Sequence, residues 1–209
     1  MRKEEITSKE MKQCICLRTG KLNFSEVTDE DIENITTMDL RGIKFNGEPT
    51  DVLLSELEAL PNLSALMISH FDLKGEDIEY LSKLSKLKTI QFTACDFENI
   101  TDIKLENLDI LVFVGCTDMG KLKMPKSRVL RVIGSEINFD GVNPENIEKL
   151  LLQNTLVKNF TTLASNENLI EVNLDGSTIQ DKDGNAVENV EVAAGTYFSR
   201  EEEFEPEER

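Results

Sequence analysis

The chain has no tryptophan, two tyrosines and a single histidine in 209 residues, and aromatic residues make up only 6% of it. A core so short of large rings must be built from Leu, Ile and Val, which suits many thin, similar layers better than one globular centre. Catalysis lacks its usual groups. His70 lies at the end of a repeat strand with no local Ser or Cys partner constellation, and the carboxylates follow solvated faces instead of standing opposite one another in pairs. Glycine motifs of the Walker or dinucleotide-binding kind are missing. We therefore expect no enzyme, no catalytic residue and no cofactor.

Long apolar runs are missing too. The longest spans Ile110 to Val114, far short of the ~20 residues that cross a bilayer as a helix. The opening Met1-Arg-Lys-Glu-Glu-Ile-Thr-Ser-Lys-Glu lacks the apolar centre of a secretion signal. A cytoplasmic location is the expectation, with a surface or secreted one only if a signal has been removed. Basic residues are outnumbered 23 to 40, leaving a net charge of −17. Such a charge repels phosphate backbones and anionic lipid while drawing basic surfaces inward. Nucleic acid and membrane are therefore not expected as partners, whereas a protein, and a basic one in particular, is. Four cysteines in an intracellular chain are expected to be reduced. Cys14 and Cys16 form a CxC without a second Cys or His cluster, so no metal site is expected.

What the chain does contain is one recurring phrase. It is clearest at Ile147-Glu-Lys-Leu150-Leu-Leu152-Gln-Asn-Thr155-Leu-Val157, with apolar residues at the first, fourth, sixth and eleventh places. The phrase returns as Leu63/Leu66/Ile68/Phe71/Leu73, as Leu87/Ile90/Phe92/Cys95/Phe97 and as Leu169/Val172/Leu174/Ser177/Ile179. First places fall at Ile35, Leu63, Leu87, Leu108, Ser127, Ile147 and Leu169, spaced by 28, 24, 21, 19, 20 and 22 residues. A period of this length marks a solenoid, in which each unit buries its apolar edge against the next.

Over about Ile35 to Ile179 the sequence resembles the leucine-rich repeat family. The resemblance implies an α/β leucine-rich repeat solenoid: a right-handed, curved β-α superhelix with a parallel sheet on its concave side. Helices are expected on the convex side of the early repeats, where Leu53, Leu54, Leu57 and Leu60, then Ile78, Leu81 and Leu84, form amphipathic stripes. The later, shorter repeats leave room only for turns or 3₁₀ steps carrying Ile103/Leu105, Leu122/Met124, Phe139/Val142 and Phe160/Leu163. Residues 1–34 read as an N-terminal segment with a short helix capped at Thr28 or Ser25, similar to the cap of internalin-like bacterial repeat proteins. About seven repeats occupy 35–179. Residues 180–200 read as a C-terminal cap with a partial repeat at Val187/Val190/Val192/Gly195/Tyr197, and 201–209 as an acidic disordered tail.

The family's ninth place normally holds Asn, which links one loop to the next. Here that column is Ile43, Phe71, Cys95, Cys116, Ser135, Thr155 and Ser177. Ser, Thr and Cys can form part of such a ladder; Ile43 and Phe71 cannot. Asp181-Lys-Asp183-Gly-Asn185 starts like a calcium loop, but Ala186 and Val192 stand where its glycine and closing acid belong, so a hairpin turn is expected.

Alternation along each strand sends the residues between the apolar places onto the concave face. The central outward column is Asp39, Met67, Gln91, Val112, Arg131, Leu151, Asn173. Beside it, Ile110, Val129, Val114, Ile133 and Gln153 complete a surface that is apolar in the middle and charged at its ends. On an acidic chain, contiguous Ile110, Val112, Val114, Val129, Ile133 and Leu151 suggest a contact surface. The candidate partner-binding residues are therefore Met67, Gln91, Ile110, Val112, Val114, Val129, Arg131, Ile133, Leu151 and Gln153, with a homodimer as one form of the contact. Two other readings stand beside it: β-branched residues favour strands in any case, or the C-terminal segment folds over the face. The resemblance implies a non-catalytic protein-interaction module. It leaves open an inhibitor or immunity-type protein for a basic enzyme, as in acidic ribonuclease-inhibitor-like solenoids, and an exported internalin-like adhesion or host-interaction protein.

Overall fold

A computed structural model describes residues 2–41, 50–105 and 108–201. Eight parallel strands form one sheet in strict chain order: β1 (Thr37–Asp39), β2 (Ala65–Ser69), β3 (Thr89–Thr93), β4 (Ile110–Val114), β5 (Val129–Ile133), β7 (Lys149–Gln153), β9 (Glu171–Asn173) and β11 (Tyr197–Ser199). On the opposite side, β6 (Glu136–Asn138), β8 (Leu156–Lys158) and β10 (Thr178–Ile179) make a second, three-stranded parallel sheet. The strands form where the sequence alternates: Leu66 and Ile68, Ile90 and Phe92, Leu111 and Phe113, Leu130 and Val132, Leu150 and Leu152 are all buried between the two sides. This is the architecture of a leucine-rich repeat solenoid.

Successive rungs are stitched before each strand begins. The carbonyls of Thr36, Ser64, Lys88, Asp109, Arg128 and Glu148 each accept two N–H groups from the following rung, at 2.7–3.1 Å. After each strand the chain must turn sharply. Among the described residues it does so at the eighth place of six repeats through a left-handed residue: His70, Ala94, Gly115, Gly134, Asn154 and Gly176, with φ between 48° and 65°. Glycine and asparagine enter this region at little cost; His70 and Ala94 carry strain there.

The ninth-place ladder exists in hydroxyl and thiol form. Ser135 Oγ accepts the Cys116 N–H at 3.0 Å and donates to the Ile133 carbonyl, and Ser177 Oγ accepts the Thr155 N–H at 3.0 Å and donates to the Leu152 carbonyl. Thr155 Oγ1 lies 2.9 Å from the Gln153 carbonyl and 3.2 Å from that of Val132. Phe71 at the same place is buried in the core. Beyond it Phe92, Phe97 and Phe113 pack with ring centroids 5.2–5.5 Å apart. Ile43 and the tail beyond Glu201 lie outside the described residues.

The convex side changes along the chain as the repeat lengths require. α3 (Thr50–Ser55), continued by a 3₁₀ turn over Glu56–Ala59, and α4 (Gly75–Ser82) back the early rungs. Leu53, Leu54, Leu57, Leu60, Ile78 and Leu81 are buried, and Leu84 is half-buried. Later rungs use 3₁₀ turns at Met119–Lys121, Phe139–Gly141 and Pro144–Asn146, and bury Ile103, Leu105, Leu122, Met124, Phe139, Val142, Phe160 and Leu163 as the pattern predicts. The second sheet was not expected. It arises because the eleventh-place residues Ile137, Val157 and Ile179 each turn inward from a short extended segment.

At the N-terminus, the segment ahead of the short capped helix forms α1 (Lys9–Thr19). Ser8 caps it by accepting the Met11 N–H, Gly20 closes it in the left-handed conformation, and Met11, Cys14 and Ile15 are buried beneath it. α2 (Asp29–Glu33) starts in a reciprocal capping box between Thr28 and Asp31. One carboxylate fastens this cap to the convex side. Glu56, 5% exposed, accepts the Thr7 N–H (2.5 Å), Thr7 Oγ1 (2.7 Å), Ser8 N–H (2.7 Å) and Ser8 Oγ (2.5 Å).

The C-terminal strand differs from the expected partial repeat. β11 pairs Tyr197 with Glu171, Phe198 with Val172 and Ser199 with Asn173. Phe198, not Val190, therefore stands beside Val172 at the fourth place. The chain makes a detour after β10: Asp181 and Asn185 form a tight hairpin, and Val192 bridges to Leu163 before the strand begins.

Candidate protein-binding face

All ten candidate residues lie on the solvent side of the large sheet, in the expected register. Ile110 pairs with Val129; Gln91, Val112, Arg131 and Leu151 form one row with Met67 at its start; Val114, Ile133 and Gln153 form the next. Arg131 is exposed and the others are half-buried, because each is flanked laterally by the rungs on either side. Parallel strands stand ~4.8 Å apart, so Ile110, Val112, Val114, Val129, Ile133 and Leu151 make an apolar strip over β4, β5 and β7, interrupted in its middle row by the exposed Arg131, which stands between Val112 and Leu151. Arg131 reaches across it to the Gln153 side-chain oxygen at 3.2 Å. The described part of the C-terminal segment extends the sheet at its edge as β11 and does not fold over the strip.

Charge flanks the strip. At one end Arg41 binds Asp39 through Nε (3.0 Å) and Nη2 (2.8 Å), which lowers the pKa of the Asp39 carboxyl and raises that of the Arg41 guanidinium. At the other, Lys149 Nζ meets Glu171 Oε2 at 2.7 Å. Beyond it, Asp175 accepts hydrogen bonds from Ser199 Oγ and the Glu201 N–H, with Asn173 adding a third, and is held below the usual carboxylate range. The sequence reading missed Tyr197 and Ser199 as members of this face. The run Thr196-Tyr-Phe-Ser after Gly195 carried the β-branched and aromatic signal, but the valines upstream masked it.

The histidine, the Asp181 loop and the paired cysteines lie away from this face. His70 occupies a left-handed corner, exposed, with its N–H on the Thr93 carbonyl. Asp181 accepts the N–H groups of Asp183 and Asn185, both at 2.9 Å, and closes a hairpin. Among the described residues no group of three or more His, Cys, Asp or Glu side chains is placed to hold a metal ion. Cys95 and Cys116 are free, buried thiols on adjacent rungs. The hydrogen bond between them, followed by burial, raises the pKa of Cys95, while the same bond lowers that of Cys116.

These features define the class: a leucine-rich repeat solenoid presenting the solvent face of a parallel sheet. Among solved structures, the chain is similar to internalin C2 of Listeria monocytogenes, at 20% identity over 91% of this chain and 92% of that one, with a TM-score of 0.54. A second likeness, to another internalin of the same organism, has 15% identity, covers 86% of this chain and 72% of that one, and has a TM-score of 0.40. No protein-family model and no curated protein matches the chain. Among the described residues no helix is long and apolar enough to cross a membrane.

Proposed function

We propose that the chain is a non-catalytic module that binds a protein partner through the solvent face of its large sheet, with Met67, Gln91, Ile110, Val112, Val114, Val129, Arg131, Ile133, Leu151 and Gln153 as the contact residues. The observation that carries this reading is the apolar strip over β4, β5 and β7, set on a chain of net charge −17. An apolar centre with a polar rim is the composition of a contact patch. The surrounding acidity favours a basic partner, which it would steer toward the face at low salt. An intracellular protein that masks a basic enzyme fits both features, and a cytoplasmic location goes with that role.

The test is a double change, Val112→Lys with Ile133→Lys, made on solvent-facing positions so that the core is untouched. Wild-type and variant proteins of equal melting temperature are used as bait in a soluble extract of the source cells, and bound proteins are identified by mass spectrometry. The reading expects basic proteins retained by the wild type, released by added salt and absent from the variant. Identical captures on both baits would refute it.

A further inference from the structure

The ninth-place ladder carries hydroxyls on its later rungs, at Ser135, Thr155 and Ser177, but thiols on two neighbouring ones, at Cys95 and Cys116. Backbone pairing on both sides of these thiols sets them opposite one another. Thr93 faces Val114 before them and Asp96 faces Thr117 after them. The Ala94 N–H meets the Val114 carbonyl at 2.8 Å, and the Thr117 N–H meets the Cys95 carbonyl at 3.1 Å. Neighbouring parallel strands are ~4.8 Å apart, within the Cα separation of about 4.4–6.8 Å that a disulfide spans.

The two side chains are also directed alike. Cys95 Sγ lies 3.5 Å from the Thr93 carbonyl and Cys116 Sγ 3.7 Å from that of Val114, in each case the carbonyl two residues back in its own rung. Cys116 Sγ reaches on to the preceding rung, 3.5 Å from the Phe92 carbonyl, and is hydrogen-bonded to the Cys95 thiol. Both thiols are free, but they are not equivalent. Cys95 is 1% exposed and closed off by the core, whereas Cys116, at 4%, forms part of the wall of a surface hollow of about 560 Å³ beside Thr117, Lys121, Ser135 and Glu136. The hydrogen bond from the Cys95 thiol, helped by backbone N–H groups, outweighs burial and holds the Cys116 thiol below its ordinary pKa, while the same bond and burial raise that of Cys95. In disulfide exchange the thiolate is the attacking species. Cys116 is therefore the sulfur that meets a reagent first, and Cys95 the one that resolves the product.

We propose that Cys95 and Cys116 are a redox-active dithiol, which a low-molecular-weight disulfide entering by the hollow oxidises to a bridge between the rungs of β3 and β4. In the first step the Cys116 thiolate attacks one sulfur of the reagent RSSR. The reagent's S–S bond breaks, Cys116 carries the S–R group, and RS⁻ leaves and takes up the proton that Cys116 had lost. In the second step Cys95 gives up its proton and attacks Cys116 Sγ, expelling the second RS⁻, which is protonated in turn. The protein loses two hydrogens with their electrons, and the reagent gains them as two RSH. Excess RSH reverses both steps. The bridge fastens the corners at Ala94 and Gly115 to each other and does not depend on the sheet-face reading.

The experiment equilibrates full-length protein, native and in urea, with cystamine and cysteamine at graded ratios, then quenches with acid and reads the intact mass. Cystamine is small and cationic, which suits a chain of net charge −17. Cys14→Ala with Cys16→Ser leaves only the proposed pair to react, and circular dichroism checks that this protein keeps the wild-type spectrum. Wild type is digested with trypsin in parallel, so that the location of the bridge does not rest on the substituted protein. The native chain should lose two hydrogens, with peptides 89–104 and 105–121 joined. Because the fold holds the sulfurs together, half-conversion should need roughly tenfold less oxidant, or lower still, than in urea. Cys95→Ser, a residue that the same column holds at Ser135 and Ser177, should stop at one cysteamine on Cys116; Cys116→Ser should stay unmodified at the same ratio. A native pair that stays reduced, or that needs as much oxidant as the unfolded chain, overturns the proposal. So do cysteamine adducts without a bridge in the native protein, or modification of Cys95 when Cys116 is replaced.

Discussion

Replacing Glu56 with Ala removes the single carboxylate that fastens the N-terminal cap to the convex side of the solenoid. Four donors point at it, but they are not equivalent: Thr7 is exposed and water can serve its N–H and hydroxyl, whereas Ser8 is buried. The cost therefore rests mainly on two orphaned donors at Ser8. At about 1–3 kcal/mol for each buried group left without a partner, Glu56→Ala should destabilise the protein by about 2–5 kcal/mol. Ser8 also accepts the Met11 N–H as the cap of α1, so loosening its hydroxyl frays that helix. The control is Glu58→Ala two residues on, which removes an exposed ion pair with Lys83 (2.8 Å) and should cost about 0–1 kcal/mol. Urea unfolding followed by circular dichroism gives both values. Equal losses in the two variants would refute the argument that burial and convergence of donors set the cost.

The pH dependence gives a second, independent reading of the same site. Burial alone would raise the pKa of Glu56, but the hydrogen bonds from Ser8 and Thr7 outweigh it and hold the folded value below 4.5. A carboxylate bound more tightly to its proton in the unfolded state adds stability at neutral pH. That contribution is complete above the unfolded pKa and is lost as pH falls through the folded one. Asp31, Asp39, Asp175 and Asp181 are also held low, by hydrogen bonds led by those from Thr28, Arg41, Ser199 and Asn185 respectively, and fail in the same acid range. The difference between wild type and Glu56→Gln isolates the one group: it should be constant above about pH 5 and shrink below.

Three further outcomes follow from backbone and burial. Ala94 sits in the left-handed corner after β3 at φ 48°, so Ala94→Gly should raise stability by roughly 1 kcal/mol and Gly115→Ala should lower it by a similar amount in urea unfolding. Gly141 is tightly enclosed, since a Cβ there would meet the Leu122 carbonyl oxygen at 2.1 Å, while one at Gly120 would find only Glu136 Oε1 at 3.9 Å; Gly141→Ala should cost about 1–3 kcal/mol and Gly120→Ala should be close to neutral by the same measurement. Thiol titration of the native protein should label Cys16, the half-exposed one, well before the buried Cys14, Cys95 and Cys116, with Cys14 further protected because burial pushes its thiol up to about 11.

The register of the large sheet could be read because each strand obeys two constraints at once. Its own alternation fixes which residues turn inward, and the repeat fixes where it meets its neighbours; Leu130, Leu150 and Val172 satisfy both. The left-handed corners were legible in principle, as Gly115, Gly134, Asn154 and Gly176 fall in one column, but Ala94 and His70 in the same column concealed it. α1 was not legible, because only Met11, Cys14 and Ile15 mark its buried side, and what holds it in place is a partner 48 residues away, Ser8 on Glu56. The last strand was misplaced because Val190 and Val192 match the pattern locally and instead serve the detour that precedes β11. The candidate face was readable from alternation alone.

The paired carbonyl contacts that join successive rungs make the length of this protein an adjustable quantity. Arg128 and Val129 reach back to the Asp109 carbonyl as Glu148 and Lys149 reach back to that of Arg128, and Val129 stands between Ile110 and Lys149 in the sheet. Excising residues 128–147 would bring Lys149 opposite Ile110 with the same bonding and the same inward leucines. Such a chain should fold with a seven-stranded sheet and an undiminished circular dichroism signal per residue. In a molecule built this way, reach is set by the number of rungs, and evolution can change it by whole steps without redesigning a core.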